Sequence, residues 1–528
     1  MKKFFVMLCV ISVSLSMYVL PAIAADELVY WEALHAGTAQ KYQSLGDTPM
    51  YQELEKRTGV KIQHIDVSSA GDETRNQFNL VLASGDLPDM MFYANWIRHY
   101  PGAPTKLVED GIALPLNDLI DEHAPNFKKL MEEHPEWRKA VTTDDGQYWC
   151  FPFLRGDPEL MVFFGPILRK DFLDELGLAV PETIDEWHDT LTALKAKADY
   201  PLTMNAIGKG PRNITTGHTF IGAYKIQWDW YLGDDGKVHF GQYEPAYKDF
   251  LTTWNKWYSE GLIDPDFLTN ERKQVDARML NGKSAAMMGY GGSNIGRYLD
   301  GKADDPTFDL VGAPHPVLVK GDKPFTGQMD VPFNPNGVAL VITTQAKDPV
   351  AAVKWADYAY SPDGKILFNF GIEGESFTWN ENFPGFEGEK FPQYTDIMTA
   401  NPEGISLANA LKMWVRAGYH GPFVQDKRYI AQYYARQQQL DAWNVWSNSD
   451  AAKHKIPPTS MTPEESQEFA DIMAQAETYV REKYAAFTLG QEALDDATFE
   501  KYREQLKKMG IERAIELKQL AYERYLNK

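Results

Sequence analysis

The chain has 528 residues and a formal net charge of −21. A chain of this length buries its apolar surface in two or more domains, because single cores stop growing near about 250–300 residues. The negative charge disfavours nucleic acid and anionic membrane surfaces as partners, since both attract basic patches. Aromatic residues make up 13% of the sequence, which leaves rings for a binding surface as well as for the core.

The first segment, residues 1–24, is predicted to be a secretory signal peptide. Two lysines precede an apolar stretch, and Ala22-Ile23-Ala24 has the small-residue spacing of a cleavage site. A retained membrane anchor is the less favoured alternative, because the apolar stretch is short for a membrane span. We therefore expect cleavage near Ala24 and a soluble protein in the periplasm or outside the cell envelope.

The elements after this segment predict an α/β fold. The apolar run Leu28–Trp31 indicates a strand, and the next helix begins at Pro49 and ends at Gly59. A second strand is predicted to begin at Val60 with a period of two. This strand, helix and strand form a βαβ unit, and similar alternation continues along the chain.

The later elements predict hairpins and then helices. Residues 200–240 are predicted to be loop and hairpin, with a turn at Gly233–Gly236. Capping boxes at Thr183 and Thr462 mark helix starts, because each hydroxyl is followed three residues later by a glutamate. Beyond Thr462 the spacing of apolar residues predicts a helical C-terminal extension.

The sequence contains no motif typical of catalysis, a metal site or a cofactor. Eleven histidines occur without H-E-x-x-H spacing, and the glycines of Gly289–Gly296 lack the spacing that binds phosphates. Since Cys9 lies in the signal peptide, Cys150 is the only cysteine of the mature chain and is predicted to be a buried structural thiol. We therefore predict no enzyme activity, no cofactor and no metal. A secreted glycan-active enzyme with two catalytic carboxylates is an open alternative.

Several segments, in this order, resemble extracellular solute-binding proteins of family 1, the binding proteins of ABC sugar importers. The segments that carry the resemblance are Arg57–Ile62, Gly85–Tyr93, Asp145–Pro152, Arg169–Leu173 and Gly282–Tyr290. The C-terminal segments Phe487–Gly490 and Ala521–Tyr525 are similar to the large lipoprotein and alginate-oligosaccharide-binding branch. The chain departs from that branch in lacking a lipoprotein cysteine and, near Thr183, a calcium-loop insertion, so the resemblance implies no metal.

The resemblance implies a two-lobed, type II periplasmic-binding-protein fold with a hinge and a ligand cleft. It places residues 25–150 and 340–400 in the N-terminal lobe, and residues 151–339 and 401–528 in the C-terminal lobe. The expected function is the substrate-binding component of an ABC import system. This monomer would capture a carbohydrate, expected to be an oligosaccharide, and deliver it to the permease subunits. A binding protein for a peptide or another non-sugar solute is the second alternative.

The resemblance also implies which residues line the cleft. Tyr93 and Tyr290 end two strands and are expected to face each other across the ligand, because sugars stack on aromatic rings. Core packing is the alternative for each of these residues and for the other candidates. The other candidates are Trp31, Asn95, Trp96, Phe153, Arg155, Trp228, Trp230, Glu375, Phe377 and Trp379.

Overall fold

The computed structural model describes residues 27–206, 217–327, 331–334, 336–401, 403–418 and 420–527. The predicted signal peptide and its cleavage site near Ala24 lie outside these residues. None of the helices within these ranges is both long enough and apolar enough to cross a membrane.

The strands, numbered in chain order, are short and mostly buried. They are β1 Leu28–Leu34, β2 Ile62–Ser68, β3 Met90–Tyr93, β4 Phe151–Pro152, β5 Leu154–Arg155, β6 Phe164–Arg169, β7 Tyr200–Thr203, β8 Trp230–Leu232, β9 Val238–Phe240, β10 Ser284–Tyr290, β11 Leu310–Gly312, β12 Ala339–Ile342, β13 Phe377–Asn380, β14 Phe391–Tyr394 and β15 Val424–Gln425.

Helices lie between most of the strands and dominate the end of the chain. They are α1 Pro49–Thr58, α2 Gly71–Ser84, α3 Trp96–His99, α4 Thr105–Glu109, α5 Asn117–His123, α6 Pro125–Glu133, α7 Pro135–Ala140, α8 Lys170–Leu176, α9 Ile184–Leu194, α10 His218–Ile221, α11 Tyr247–Ser259, α12 Arg272–Leu280, α13 Arg297–Gly301, α14 Pro349–Tyr358, α15 Pro362–Phe370, α16 Asp396–Thr399, α17 Leu407–Met413, α18 Lys427–Tyr433, α19 Gln437–Ser447, α20 Pro463–Thr488, α21 Asp496–Lys508 and α22 Ile511–Leu526.

The first sheet has five strands in the order β2–β1–β3–β12–β4. β1 runs parallel to β2 and β3, which confirms the predicted βαβ unit. Gly59 ends α1 with φ +70°, and the strand then begins at Ile62 instead of Val60. Hydrogen bonding to β1 begins at Lys61, whose carbonyl accepts from the Leu28 N–H at 3.0 Å. The late strand β12 is antiparallel to both β3 and β4.

The second sheet has four strands in the order β11–β6–β10–β7. Its core includes side chains from α9, α11 and the C-terminal helices. Trp254 of α11, for example, donates its indole N–H to the Tyr484 hydroxyl of α20 at 2.8 Å. The C-terminal helices are therefore part of this second core. The predicted capping boxes at Thr183 and Thr462 are both present, as is the turn of the β8–β9 hairpin.

Three segments of chain run side by side between the two sheets. β5 pairs in parallel with β15, and Leu154 forms a bridge with Phe333. The Arg155 backbone N–H donates to the Pro332 carbonyl at 2.9 Å, and the Leu154 N–H donates to the Phe423 carbonyl at 3.0 Å. These hydrogen-bonded crossing segments contribute Leu154, Phe333 and Val424 to the first core and border a cavity.

Candidate ligand-binding cleft

A cavity with a volume of about 190 Å³ lies beside the crossing segments. Three predicted site residues line it: Phe153, Arg155 and Tyr290. The remaining wall comes from the segment Glu159–Phe163, from the turn after Tyr290 and from residues between Ala417 and Tyr434. The cavity therefore collects side chains from the crossing segments, from the second sheet and from α18.

Aromatic rings form much of the cavity wall. Tyr290 ends β10, and its ring stacks on Phe163 with centroids 6.0 Å apart and planes at 20°. Tyr433 packs against Gly292, where a Cβ atom would lie 2.3 Å from the tyrosine ring. The lack of a side chain at Gly292 therefore allows the two walls to approach. Burial raises the pKa of Tyr290 to about 12, so its hydroxyl is a hydrogen-bond donor at neutral pH.

Arg155 is held in a fixed orientation beside these rings. Its guanidinium lies 5.6 Å from the ring centroid of Phe153 and 5.1 Å from that of Phe163. It also donates a hydrogen bond of 2.9 Å to the side-chain oxygen of Gln425. Because a guanidinium has five N–H donors in a rigid plane, this arrangement suits recognition of ligand oxygen atoms.

A smaller cavity of about 140 Å³ lies on the side of the first sheet. The predicted residues Tyr93 and Asn95 line it, and His420 lines both cavities. Ser69 and Thr74 add hydroxyl groups to its wall. The shared histidine places the smaller cavity next to the larger one, so together they form the candidate cleft.

Tyr93 is packed much more tightly than Tyr290. Only 4% of Tyr93 is exposed, and its ring stacks on Phe78 with centroids 4.1 Å apart. Its hydroxyl makes a hydrogen bond of 2.6 Å with Nδ1 of His99. Burial raises the pKa of Tyr93 to about 12 and lowers that of His99 to about 4. The structure therefore places most of the Tyr93 ring in the first core.

A buried ion pair connects β1 to the chain that leads into α18. Arg416 contacts Glu32, and the two side chains are 1% and 0% exposed. Tyr30 and Tyr51 donate hydroxyl hydrogen bonds to Glu32 at 2.7 and 3.0 Å, and Arg416 also donates to the His420 carbonyl. Burial raises the pKa of the Glu32 carboxyl, while the Arg416 guanidinium opposes that shift. The pair thus fixes the position of His420 in the cleft.

Several predicted site residues lie away from both cavities. Trp31 and Trp96 are 1% and 0% exposed and pack in the first core. Trp228 packs against Tyr484 of α20, with ring centroids 5.2 Å apart. Trp230 packs against Phe469 of the same helix at 5.4 Å. The structure therefore gives these four aromatic residues packing contacts and does not bring them to the cleft.

The remaining candidates belong to the β13–β14 hairpin or the turn before it. Phe377 is buried in a further apolar cluster with Phe370 and Tyr394, and its ring centroid lies 5.2 Å from that of Trp379. The amine of Lys390 lies 5.3 Å from the Trp379 ring centroid. Glu375 accepts a hydrogen bond of 2.5 Å at its backbone carbonyl from the Thr395 hydroxyl. These residues stabilise the hairpin and do not line either cavity.

Sequence reasoning missed a group of cavity residues in α18 and on either side of it. The group consists of His420, Gln425, Tyr429, Tyr433 and Tyr434. The spacing of Tyr429 and Tyr433 places both on one helical face, which is the signal that could have indicated an aromatic wall. Nothing in the sequence shows that this face packs beside Tyr290, because the two are far apart along the chain.

The described residues contain no group of three or more His, Cys, Asp or Glu side chains arranged to hold a metal ion. Cys150 is buried, and burial raises the pKa of its thiol well above the ordinary value. This environment is typical of an unreactive structural cysteine, as predicted.

Comparisons with known proteins give a consistent picture. The sequence model of the family described as "Bacterial extracellular solute-binding protein" matches residues 36–366. A Streptococcus pneumoniae relative named fructooligosaccharide ABC transporter substrate-binding protein FusA is 25% identical over 504 residues, which cover 90% of this chain and 86% of the relative. A Bacillus subtilis polygalacturonan/rhamnogalacturonan-binding protein, YtcQ, is 26% identical over 45% of each chain.

Solved structures show the same fold. The alginate-binding protein AlgQ2, crystallised without calcium, has a TM-score of 0.73 at 23% identity, with 95% of this chain and 99% of that chain covered. FusA in complex with kestose also has a TM-score of 0.73, at 22% identity, with 95% and 100% covered. These matches confirm the predicted α/β, two-lobed fold with its helical C-terminal extension.

Proposed function

The chain belongs to the family of bacterial extracellular solute-binding proteins, and we propose on that basis that it is the substrate-binding component of an ABC import system. In this proposal it captures an oligosaccharide in the cleft and delivers it to the permease subunits as a monomer. The relatives that bind fructooligosaccharides, alginate and polygalacturonan support a glycan as the ligand.

The observation that carries the proposal is the composition of the larger cavity. Sugars present apolar C–H faces and hydroxyl edges, and the cavity offers both kinds of partner. Tyr290 and Tyr433 provide rings for the faces, while Arg155 and Gln425 provide polar groups for the edges. Tyr290, Phe153 and Arg155 are therefore our first choice of ligand-binding residues. Tyr93 and Asn95, in the smaller cavity, are the second.

We further propose that the crossing segments are the hinge between the lobes. The N-terminal lobe would comprise residues 25–150 and 340–400, and the C-terminal lobe residues 151–339 and 401–528. In support, the first core includes Leu154 and Val424 from the crossing segments, while the second core begins at Leu168. Ligand binding at Arg155, which lies on β5, would then bias the hinge toward closure.

The family is extracellular, and the proposed location is the periplasm or the exterior of the cell envelope after cleavage near Ala24. We also propose that the protein binds its ligand without transforming it. An enzyme would turn over an oligosaccharide at catalytic concentration, whereas a binding protein saturates at one ligand per chain. Product analysis after long incubation separates these two possibilities.

A thermal-shift screen followed by calorimetry tests the proposal. The screen would contain neutral and acidic oligosaccharides, monosaccharides and short peptides. A ligand at 100 times its dissociation constant adds about 2.7 kcal/mol to the free energy of unfolding, which is easily detected. Stabilisation by peptides alone would contradict the proposal and favour a peptide-binding protein.

A pair of tyrosine variants then tests the site. We expect Tyr290→Ala to weaken ligand binding at least about tenfold, equivalent to about 1.4 kcal/mol. Tyr358→Ala is the matched control, because Tyr358 lies on α14 and lines neither cavity. Equal affinity in the two variants would exclude stacking on Tyr290.

A further inference from the structure

Away from the cavities, the C-terminal helices contact the N-terminal lobe through a small polar cluster, which we call the interlobe latch. The latch consists of Asp144 on the N-terminal lobe and of Ser460, Glu465 and Arg524 on the C-terminal lobe. Resting on the proposed function, we infer that the latch holds the cleft open and breaks when the lobes close on a ligand. It would thus set the affinity for a ligand that it does not touch, since none of its four residues lines either cavity.

Asp144 uses both carboxylate oxygens in the latch. One oxygen accepts a hydrogen bond of 2.6 Å from the Ser460 hydroxyl, and the other lies 3.8 Å from Nε of Arg524. The turn that carries Asp144 is flanked by Val141 and Trp149, which are buried in the first core. The C-terminal helices belong to the second core. The hydrogen bond therefore joins two separately packed bodies.

The C-terminal half of the latch is ordered without Asp144. Arg524 of α22 donates to Glu465 at 3.0 Å and to the Ser460 carbonyl at 3.2 Å. Glu465 also accepts from the Thr462 backbone N–H at 3.0 Å, which closes the capping box of α20. Ser460 is buried between these groups. Removing the Asp144 carboxylate should therefore take away the interlobe contact and leave the C-terminal helices folded.

Two further contacts place the same helices against the N-terminal lobe. The Lys139 amine donates to the Leu526 carbonyl at the end of α22, at 3.4 Å. A Cβ atom at Gly102 would lie 3.4 Å from the Cα atom of Pro463, which begins α20. The start of α20 and the end of α22 thus both lie beside the N-terminal lobe.

The latch lies at the end of the first sheet that is remote from the smaller cavity. β12 starts opposite Tyr93, at the cavity end, and finishes at Ile342, at the other end. Backbone N–H groups of segment 114–116 donate to the carbonyls of Ile342 and Tyr148, at 2.9 and 3.0 Å. Tyr148 therefore lies at the remote end, and a bridge at Tyr148 closes the turn that contains Asp144.

The latch is formed while the cavity walls are apart. The smaller cavity is lined by N-terminal-lobe residues between Glu32 and Asn95, and the larger cavity by residues assigned to the C-terminal lobe. Of the described residues that line them, His420 alone is common to both. A cleft closed on a ligand would place residues of both lobes around one cavity. The structure therefore shows the latch in an open arrangement.

Closure of the cleft would separate the latch. Two-lobed proteins close by rotation of the lobes about the segments that join them. β5 follows β4 after one residue, so the crossing segments leave the first sheet at its cavity end. A rotation there that brings the cavity walls together moves the C-terminal lobe away from the remote end of the sheet. The hydrogen bond between Asp144 and Ser460 cannot persist through such a movement.

The latch is weak enough for a ligand to break. The side chains of Asp144 and Arg524 are each 31% exposed, and water screens ion pairs at such exposure. Because the latch favours open molecules, the measured affinity is the intrinsic affinity reduced by the closed fraction. Removing the latch should therefore raise the affinity, which is the opposite of removing a residue that contacts the ligand.

Spin-label distances test the inference without any ligand. Labels at Glu73→Cys and Lys273→Cys would lie on opposite sides of the cleft, and both positions are exposed. α2, which carries Glu73, begins at the wall of the smaller cavity. α12, which carries Lys273, begins at Arg272, whose guanidinium donates to the carbonyl of the cavity residue Ser293 at 3.1 Å. The native cysteine among the described residues is buried, so it should not take up the label.

We expect Asp144→Ala to shift the ligand-free distances toward shorter values by increasing the closed population about threefold or more. The matched control is Asp121→Ala, which also removes an exposed carboxylate from the N-terminal lobe, where Asp121 pairs with Lys128 at 2.8 Å. The same distance distribution in the wild type, in Asp144→Ala and in Asp121→Ala would overturn the inference.

Calorimetry gives a second readout, with kestose, xylotriose and trigalacturonate as the probes. For each probe that binds the wild type, Asp144→Ala and Ser460→Ala should both tighten binding about threefold or more. The double variant should gain less than the product of the two single gains, because both substitutions remove the same hydrogen bond. Weaker or unchanged binding in both single variants would contradict a latch that opposes closure.

The failure of the inference and the failure of the proposed function are distinguishable. If an oligosaccharide binds the wild type and the latch variants behave like the wild type, the inference fails and the proposed function stands. If the distances shift while no oligosaccharide binds, the proposed function fails and the latch remains a feature of a protein with another ligand.

Discussion

The two tyrosines expected to face each other, Tyr93 and Tyr290, have different surroundings although both end a strand. Tyr93 is fixed between Phe78 and His99, while Tyr290 stands on the wall of the larger cavity. The difference comes from the residues in the turn after each strand. After Tyr93 the chain turns into α3, whose Trp96 closes over the ring, with centroids 6.1 Å apart. After Tyr290 come two glycines, which leave room for the opposite wall. Small residues after a strand thus leave the ring at its end open to a cavity, whereas a large residue there covers the ring.

The largest expected effect separates stability from binding at Tyr93. We expect Tyr93→Ala to reduce the free energy of unfolding by about 3–5 kcal/mol, because it opens a void in the first core. Tyr93→Phe keeps the ring and loses only the hydrogen bond to His99, so it should reduce that free energy by about 1 kcal/mol. Urea unfolding measures both. A loss below about 1 kcal/mol for the alanine variant would show that the ring is not a core residue.

Gly292→Ala should reduce both stability and ligand affinity, because the added methyl group overpacks the cavity wall near Tyr290. The new Cβ would lie 2.3 Å from the Tyr433 ring, so the ring must move and the cavity wall with it. We expect a loss of about 1–3 kcal/mol in stability and at least about tenfold in ligand affinity. Gly301→Ala is the control, since a Cβ at Gly301 meets no atom within 4 Å. Unchanged affinity in the Gly292 variant would mean that Tyr433 does not contribute to binding.

Lowering the pH should reduce the free energy of unfolding by a smaller amount, through His99 beside Tyr93. The pKa of His99 is lowered to about 4 in the folded protein, against about 6.5 in an unfolded chain. A group with a lowered folded pKa contributes stability above its unfolded pKa, and this contribution is lost as the pH falls from about 6.5 through 4. We expect a loss of about 2 kcal/mol from this residue over that range.

The matched variants for this pH effect are His99→Gln and His134→Gln, the second on the protein surface. Urea unfolding at pH 7 and pH 4.5 should show a shallower pH dependence for His99→Gln than for the wild type or for His134→Gln. The same slope in all three proteins would show that the protonation of His99 is not coupled to folding.

The contact between Arg155 and Gln425 should give the smallest effect. Gln425→Leu removes the acceptor that orients the Arg155 guanidinium at 2.9 Å. We expect ligand affinity to fall about fivefold, equivalent to about 1 kcal/mol, while Tyr290 keeps its stacking role. Calorimetry measures the change, and Gln393→Leu on the exposed face of β14 is the control. An unchanged affinity would mean that Arg155 needs no second contact to hold its position.

Local features of the fold could be predicted from the sequence, and long-range features could not. The cap at Gly59 and the capping box at Thr183 depend on a few neighbouring residues, so their signals are readable in the sequence. The position of β12 between β3 and β4 depends on contacts between residues almost two hundred or more positions apart. Such pairing leaves no local pattern, and the family resemblance indicated only that residues 340–400 belong with the N-terminal part of the chain.

The residues of the candidate site likewise fall into those that the sequence could indicate and those that it could not. Tyr290 and Arg155 could be predicted because they lie at the ends of segments that resemble the family's motifs. Trp31 and Trp96 were chosen for their place near strand ends, but a large ring there can pack inward as easily as outward, and both are buried. The tyrosines of α18 were missed because their contribution depends on the packing of α18 beside the Gly291–Gly296 turn.

The buried pair of Glu32 and Arg416 also has an evolutionary consequence. Removing either partner leaves an uncompensated buried charge, which costs about 3–5 kcal/mol out of a typical total stability of about 5–15 kcal/mol. A single substitution at either position would therefore remove a large part of the free energy of unfolding. The partly buried Tyr433 of α18 is uncharged and carries no such penalty. On the proposed function, single substitutions along α18 should therefore alter ligand preference at little cost in stability, whereas Glu32 and Arg416 can be replaced only together.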